Sequence, residues 1–158
     1  MAFITETARR VPDNTDPDVA ARLDRKAEEM VTGSAAAGPH SIEARLKDLD
    51  REWDVERVIQ AEAATMALAG LALGAKSDRR FFAMPGVVAG MMLLHALHGW
   101  YPLLPVFRRM GFRTPDEINA EREALRRLRG DRGAGIPDDA PTQEKVEAAR
   151  AAWRAVKG

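Results

Sequence analysis

Phe81-Phe-Ala-Met-Pro-Gly-Val-Val-Ala-Gly-Met-Met-Leu-Leu-His-Ala-Leu-His-Gly-Trp-Tyr-Pro-Leu-Leu-Pro-Val-Phe107 contains no Asp, Glu, Lys or Arg, in a chain of which 30% is charged. As a helix, Phe81 to Trp100 is long enough to cross a bilayer, which takes roughly 20 apolar residues. A second apolar run, Ala63 to Ala75, lies just before it, with only Lys76 to Arg80 between them. Two apolar helices joined by a short charged turn predict a helical hairpin over residues 55–107. Strand signals are nearly absent, and Ala, Leu, Arg and Glu, all strong helix formers, dominate. The expected fold is all-α: a two-helix transmembrane hairpin with amphipathic helical flanks on its cytoplasmic side.

A soluble core helix is the competing explanation. Ala63 to Ala75 gives a helix of only about 20 Å, against about 30 Å of hydrocarbon. Extending it back to Val58 takes in Gln60 and Glu62, and Pro85, Pro102 and Pro105 interrupt the second run. Three patterns favour the membrane. Phe81 and Phe82 at one end of the second run, and Trp100 and Tyr101 at the other, are placed as interfacial aromatics. Gly70-x-x-x-Gly74 and Gly86-x-x-x-Gly90 carry the small-residue spacing that lets helix backbones approach closely, within one chain or between copies. Basic residues flank the hairpin unequally. Arg45, Lys47, Arg51 and Arg57 precede it and Arg108, Arg109, Arg113 and Arg122 follow it, against Lys76, Arg79 and Arg80 in the turn. The positive-inside rule then puts both termini in the cytoplasm.

The flanks are polar. Residues 1–57 hold nine basic and thirteen acidic residues, and residues 108–158 twelve and nine, while the whole chain has a formal net charge of zero. No global field therefore draws nucleic acid. With no Cys, disulfides and thiol chemistry are excluded. No basic segment followed by an apolar one opens the sequence, so no cleaved signal peptide is expected. Residues 1–54 form one expected segment: an irregular arm over Thr5 to Asn14, a helix from Asp16-Pro17 to about Val31, a linker from Thr32 to Pro39, and a helix capped by Ser41 that runs to Trp53. Its Ile42, Leu46, Leu49 and Trp53 make a narrow apolar stripe. After the hairpin, Thr114-Pro115-Asp116-Glu117 has capping-box spacing and predicts a helix ending at Gly130, over residues 108–130. Residues 131–158 complete the chain as a flexible segment and an Ala-rich helix from Thr142 to Val156, expected to be only partly ordered.

Glu52-Trp-Asp-Val-Glu-Arg57, the Gly-spaced helix, Ala96-Leu-His-Gly-Trp-Tyr-Pro102 and the Arg-Thr-Pro-Asp-Glu-Ile…Gly-Asp run from Arg113 to Asp131 together resemble the YgaP-like transmembrane domain family. The resemblance covers about Arg10 to Asp131. It implies a small two-helix bacterial inner-membrane domain, commonly of unknown function, able to dimerise and sometimes fused to a sulfur-transferring rhodanese domain. Many members have Gly-x-Cys-Pro where this chain has Gly99-Trp100-Tyr101-Pro102, so persulfide chemistry does not carry over, and the flanks leave no room for a rhodanese domain.

Candidate chemistry is sparse. His95 and His98 share one helix face and could ligate haem or a divalent metal, but His40 is the only other histidine and two imidazoles do not make a site. No cofactor and no metal are expected. Glu62 is a carboxylate in an apolar run, which is costly without a partner. If the turn centres near Asp78, Glu62 lies level with Leu94 and His95, and a Glu62–His95 hydrogen bond is expected. Arg122, Arg126, Arg127 and Arg129 are interleaved with Glu117, Glu121 and Glu123 at pairing distances, without stacking aromatics, which argues against nucleic acid. No phosphate loop or nucleophile–base pair is present. The expected role is a non-catalytic interaction, scaffold or accessory subunit in the lipid bilayer, as a homo-oligomer or part of a larger membrane complex. The rivals are a membrane redox or transport component using His95, His98 and Glu62, and a soluble helical adaptor.

Overall fold

The computed structural model describes residues 10–131, 133 and 135–158. Among them there is no strand. The elements are seven α-helices: α1 (Pro17–Ala37), α2 (Pro39–Arg51), α3 (Val55–Lys76), α4 (Ala83–His98), α5 (Leu104–Met110), α6 (Pro115–Arg129) and α7 (Thr142–Lys157). Two short 3-10 turns, Pro12–Asn14 and Arg79–Phe82, accompany them. The chain divides into two compact units that cut across the four segments read from composition. One comprises residues up to Ala20 together with Trp53–Thr114, the other Ala21–Glu52 together with Pro115–Gly158. Thr5 to Arg9 of the expected irregular arm lie outside the described residues.

In the first unit, α3 and α4 are antiparallel neighbours. Asp54 caps α3, its side chain accepting from the Arg57 backbone N–H at 2.7 Å. The helix then runs for 22 residues, about 33 Å. The thirteen-residue apolar run therefore sits within a helix long enough to cross a membrane, as does the 20-residue helical stretch Arg79–His98. Asp78 caps the intervening turn through the Arg80 N–H at 2.8 Å. The two helices meet closely at Gly70 and Gly74. A Cβ on Gly70 would lie 2.8 Å from Met84 Cβ, and one on Gly74 2.7 Å from the Phe82 ring. A Cβ on Gly86 or Gly90 would meet nothing within 4 Å beyond its own stretch of helix among the described residues.

The uncharged run does not continue as one helix to Phe107. Gly99 takes a left-handed conformation, φ 74°, and its N–H bonds the His95 carbonyl at 2.8 Å, closing α4. Pro102 and Pro105 lie just beyond, and α5 starts as a separate short helix with Pro105 in its first turn. The broken end is packed by Val11, Val55, Ile59, Tyr101 and Leu104, with Met91, Met92, Phe107 and Phe112 around them.

The second unit is a helical cluster with its own core. Ala27, Val31 and Ala35 of α1 pack with Ile42, Leu46 and Leu49 of α2, with Ile118, Ala124, Leu125 and Leu128 of α6, and with Ala149 and Trp153 of α7. The linker expected over Thr32–Pro39 is instead helix almost throughout. α1 overruns Val31 by almost two turns because Val31, Ser34 and Ala35 are buried, and core packing outweighs the weak helix preference of Thr32 and Gly33. Thr32 Oγ accommodates the helix by bonding the Glu28 carbonyl at 2.9 Å. Only Gly38, φ 99°, separates α1 from α2. Pro39 therefore opens α2, and Ser41, the expected cap, lies within it. Trp53 leaves the predicted stripe: it lies past the end of α2 and is 45% exposed.

α6 begins at Pro115 and stops before Gly130 as its boundary residues predict. The Glu123–Arg127 pair is present at 3.2 Å. Arg129 bridges Glu43 and Asp131, both at 2.6 Å, and its hydrogen bonds hold the Asp131 carboxyl below the usual carboxylate range. α7 is not a loose appendage: Ala149 is fully buried, Trp153 nearly so, and both belong to the core. The main polar anchor is Glu121, fully buried on α6, which accepts from Arg45 Nε of α2 at 2.6 Å and from its Nη2 at 3.1 Å.

Two expectations follow. Gly74→Ile should lower stability in detergent by about 1–3 kcal/mol, because the Phe82 ring blocks the new side chain. Gly86→Ile should leave the folding stability of the single chain within about 0.5 kcal/mol; equal losses from the two would contradict the packing. Glu121→Ala should cost about 3 kcal/mol by leaving Arg45 without its buried partner, which a thermal melt of the variant will read.

Candidate functional site at the Glu56–His95 end of the helix pair

The polar residues of the first unit collect where α3 begins and α4 ends. Glu56 lies in the first turn of α3. Its Oε2 meets His95 Nε2 at 2.8 Å and its Oε1 accepts from Arg10 Nη2 at 3.0 Å. Arg10 also donates through Nη1 to the Ala96 carbonyl at 3.2 Å. Beside this group the Tyr101 hydroxyl donates to Glu62. The His95 and Tyr101 rings meet edge to face, 5.9 Å between centroids. Two carboxylates in or near apolar helix are thus both satisfied, as burial demands. His95 itself is 2% exposed, and its Nδ1 has no hydrogen-bond partner among the described residues.

The expected Glu62–His95 bond does not form; each residue has another partner. Depth predicted the neighbourhood but not the side. Near the turn Gly74 lies against Phe82 and Gly70 against Met84 and Pro85. At the far end the buried stripe of α3 runs through Val55, Ile59 and Ala63. At 100° per residue, Glu56 and Glu62 flank that stripe on opposite sides. His95 takes the carboxylate on one side, and Tyr101, brought round by the Gly99 turn, takes the other.

The remaining predicted residues fall as follows. Gly70 and Gly74 lie at the helix contact, whereas Gly86 and Gly90 face open space. Phe81, Phe82 and Trp100 are exposed at 39%, 47% and 50%. Tyr101, expected beside them at the membrane interface, is instead buried, because its hydroxyl has Glu62 as partner and its ring packs with Val55, Ile59 and Leu104. His98 is exposed, while His95 is buried and bonded to Glu56. Among the described residues no three His, Asp or Glu side chains are grouped to hold a metal ion.

Sequence reasoning missed Arg10, Asn14, Glu56 and Arg108. Asn14 Nδ2 donates to the carbonyls of Arg10 and His98, at 2.8 and 2.9 Å. Arg108, 1% exposed, donates to Thr15 Oγ at 3.2 Å and to the Phe112 carbonyl at 3.0 Å. For Glu56 a signal existed: it sits three residues before Ile59, at the margin of the apolar stripe. For Arg10 and Arg108 there was none, since their side-chain partners Glu56 and Thr15 are 46 and 93 residues away.

Chemically, the arrangement is an imidazole and a guanidinium sharing one carboxylate, with a phenol–carboxylate pair alongside. It ties the first turns of α3 to the end of α4 and the bend after it. Comparison of the chain with protein-family models, with curated proteins and with solved structures finds no match.

A double-mutant cycle distinguishes the two pairings. Glu56→Ala and His95→Ala should be coupled by about 0.5–3 kcal/mol in detergent stability, whereas Glu62→Ala and His95→Ala should be closer to additive. Stronger coupling for Glu62 than for Glu56 would reverse the assignment.

Proposed function

We propose that the chain is a small bacterial inner-membrane protein whose α3 and α4 form a transmembrane hairpin, with the helical flanks in the cytoplasm, and that it acts as a non-catalytic interaction, scaffold or accessory subunit of a membrane assembly. The observation that carries the reading is the outward apolar surface of the two helices. Only 6% of the apolar window of Arg79–His98 is buried, and Leu68, Val87 and Leu93 are 67%, 54% and 60% exposed. A core helix of a soluble protein would bury that window; a helix in lipid would not. The polar cluster supports the same reading, since Glu56, Glu62 and His95 lie at the end of the helix pair and leave its middle uncharged.

The family resemblance adds weight to the hairpin and to the inner membrane. The open Gly86–Gly90 surface of α4 is suited to a second copy or another membrane helix. A soluble adaptor that covers the same surface with a partner protein is the rival.

Fractionation and topology test this together. The chain should stay with membranes through alkaline carbonate extraction. Reporter fusions at Ala2 and Gly158 should behave as cytoplasmic, and one at Ser77 as periplasmic. Release into the soluble fraction would favour the adaptor, and a periplasmic signal at either terminus would overturn the orientation.

A further inference from the structure

We propose that Arg10–Thr15 is a hinged strap that masks the His95–Glu56 pair, and that the Arg10–Glu56 ion pair controls whether it is seated. The two ends of the segment are held differently. At Thr15 the attachment is buried: the side chain is 9% exposed, accepts from the buried Arg108, and bonds back to the Val11 carbonyl at 2.8 Å. At Arg10 the attachment is only part-buried, with the Arg10 and Glu56 side chains 25% and 21% exposed. The bonds to the Ala96 and His98 carbonyls also lie at exposed positions. A part-exposed ion pair is reached by salt, whereas the contact at Thr15 is not. The Thr15 end is therefore the hinge and the Arg10 end the one that lifts.

What the strap covers is unusual. His95 is buried although its Nδ1 has no partner among the described residues, and Arg10 Nε is in the same condition. Burying such groups is unfavourable, so the seated state contains polar atoms that gain when it opens. Opening is local: residues 10–15 carry a single 3-10 turn and one apolar anchor, Val11, in the cluster below, the kind of segment that opens well before the whole unit. The fit over α4 is also close. The Arg10 carbonyl lies against Gly99, where a Cβ would come within 2.1 Å of the oxygen. Glycine at 99 therefore admits the strap as well as closing the helix. Lifted, the strap leaves the Glu56 carboxylate and the His95 imidazole open together. Seated, it supplies the guanidinium that pairs with the Glu56 carboxylate already holding His95.

The three histidines make this measurable, because His40 and His98 are exposed and serve as internal references. The full chain in detergent is treated with diethyl pyrocarbonate at fixed pH, and each histidine is followed by peptide mass spectrometry. In the unaltered chain His95 should react at least ~10-fold more slowly than His98. Arg10→Ala and Gly99→Ala should each bring His95 to within about threefold of His98. Gly111→Ala should not, since Gly111 has a similar left-handed backbone, φ 107°, but open space around it; it controls for backbone strain. Raising salt to about 1 M, where screening reaches ~3 Å, should speed labelling of His95 in the unaltered chain and leave His40 unchanged. The proposal is overturned if His95 already reacts like His98 in the unaltered chain. It is equally overturned if His95 stays protected in both strap variants while they keep their helical circular dichroism. Should either variant not fold, the salt series decides, and labelling of His95 that is flat with salt rejects the strap.

Discussion

The first unit depends on how closely α3 and α4 can approach. Gly70 and Gly74 give up side chains so that Met84, Pro85 and Phe82 can lie against the α3 backbone. With the helices pinned beside the turn, what happens at their far ends follows from helix geometry. The buried stripe of α3 is set, its two flanking carboxylates are set, and each needs a donor at that depth. His95 and Tyr101 supply them from the other side of the pair, one from the last turn of α4 and one from the bend after it. Apolar contact thus fixes the register, and polar contact closes the open end. Neither is sufficient alone: apolar helix faces slide easily, and a carboxylate without a donor would not be tolerated there.

The second unit solves a similar problem differently. α2 and α6 are strongly charged helices, and only narrow stripes of each are apolar. Glu121 sits on the buried side of α6 where an apolar residue would be expected, and Arg45 crosses from α2 to meet it. A buried pair of this kind contributes little net stability compared with well-packed apolar residues, but it is unforgiving of any other register. Arg122, bonding the Leu49 carbonyl at 3.1 Å and Asp50 at 3.3 Å, ties the same two helices at a second level.

The sequence was legible where local chemistry and periodicity agreed. The charge-free run, the Gly70–Gly74 spacing, and the Pro115 start and Gly130 stop of α6 were all there to be read. It misled where tertiary packing overruled local preference. Thr32-Gly-Ser reads as a linker by composition, yet Val31 and Ala35 on either side belong to a core and hold the helix through it. Tyr101 reads as an interfacial aromatic beside Trp100, yet a carboxylate 39 residues away draws it inward. The partner of His95 was mistaken for a related reason: depth along a hairpin follows from counting residues, whereas the side of the stripe on which a carboxylate stands must be matched to the side that the other helix presents. Arg10 and Arg108 were invisible, because the ion pair of one to Glu56 and the hydrogen bond of the other to Thr15 are long-range and leave no local pattern.

The placement of the three tryptophans gives the chain a built-in optical label for each unit. Trp153 is 4% exposed in the core of the second unit, whereas Trp53 and Trp100, in the first, are 45% and 50% exposed. Trp53 also has the Arg57 guanidinium 4.3 Å above its ring, and Trp153 has Lys157 at 5.4 Å. Emission from the buried indole is shielded from aqueous quenchers by its neighbours in α6 and α1. Emission from the exposed pair reports on whatever medium surrounds the ends of α3 and α4. A blue-shifted signal lost on melting the second unit, and a separate signal that changes when lipid replaces detergent, would follow the two halves of one chain independently, without a single added probe.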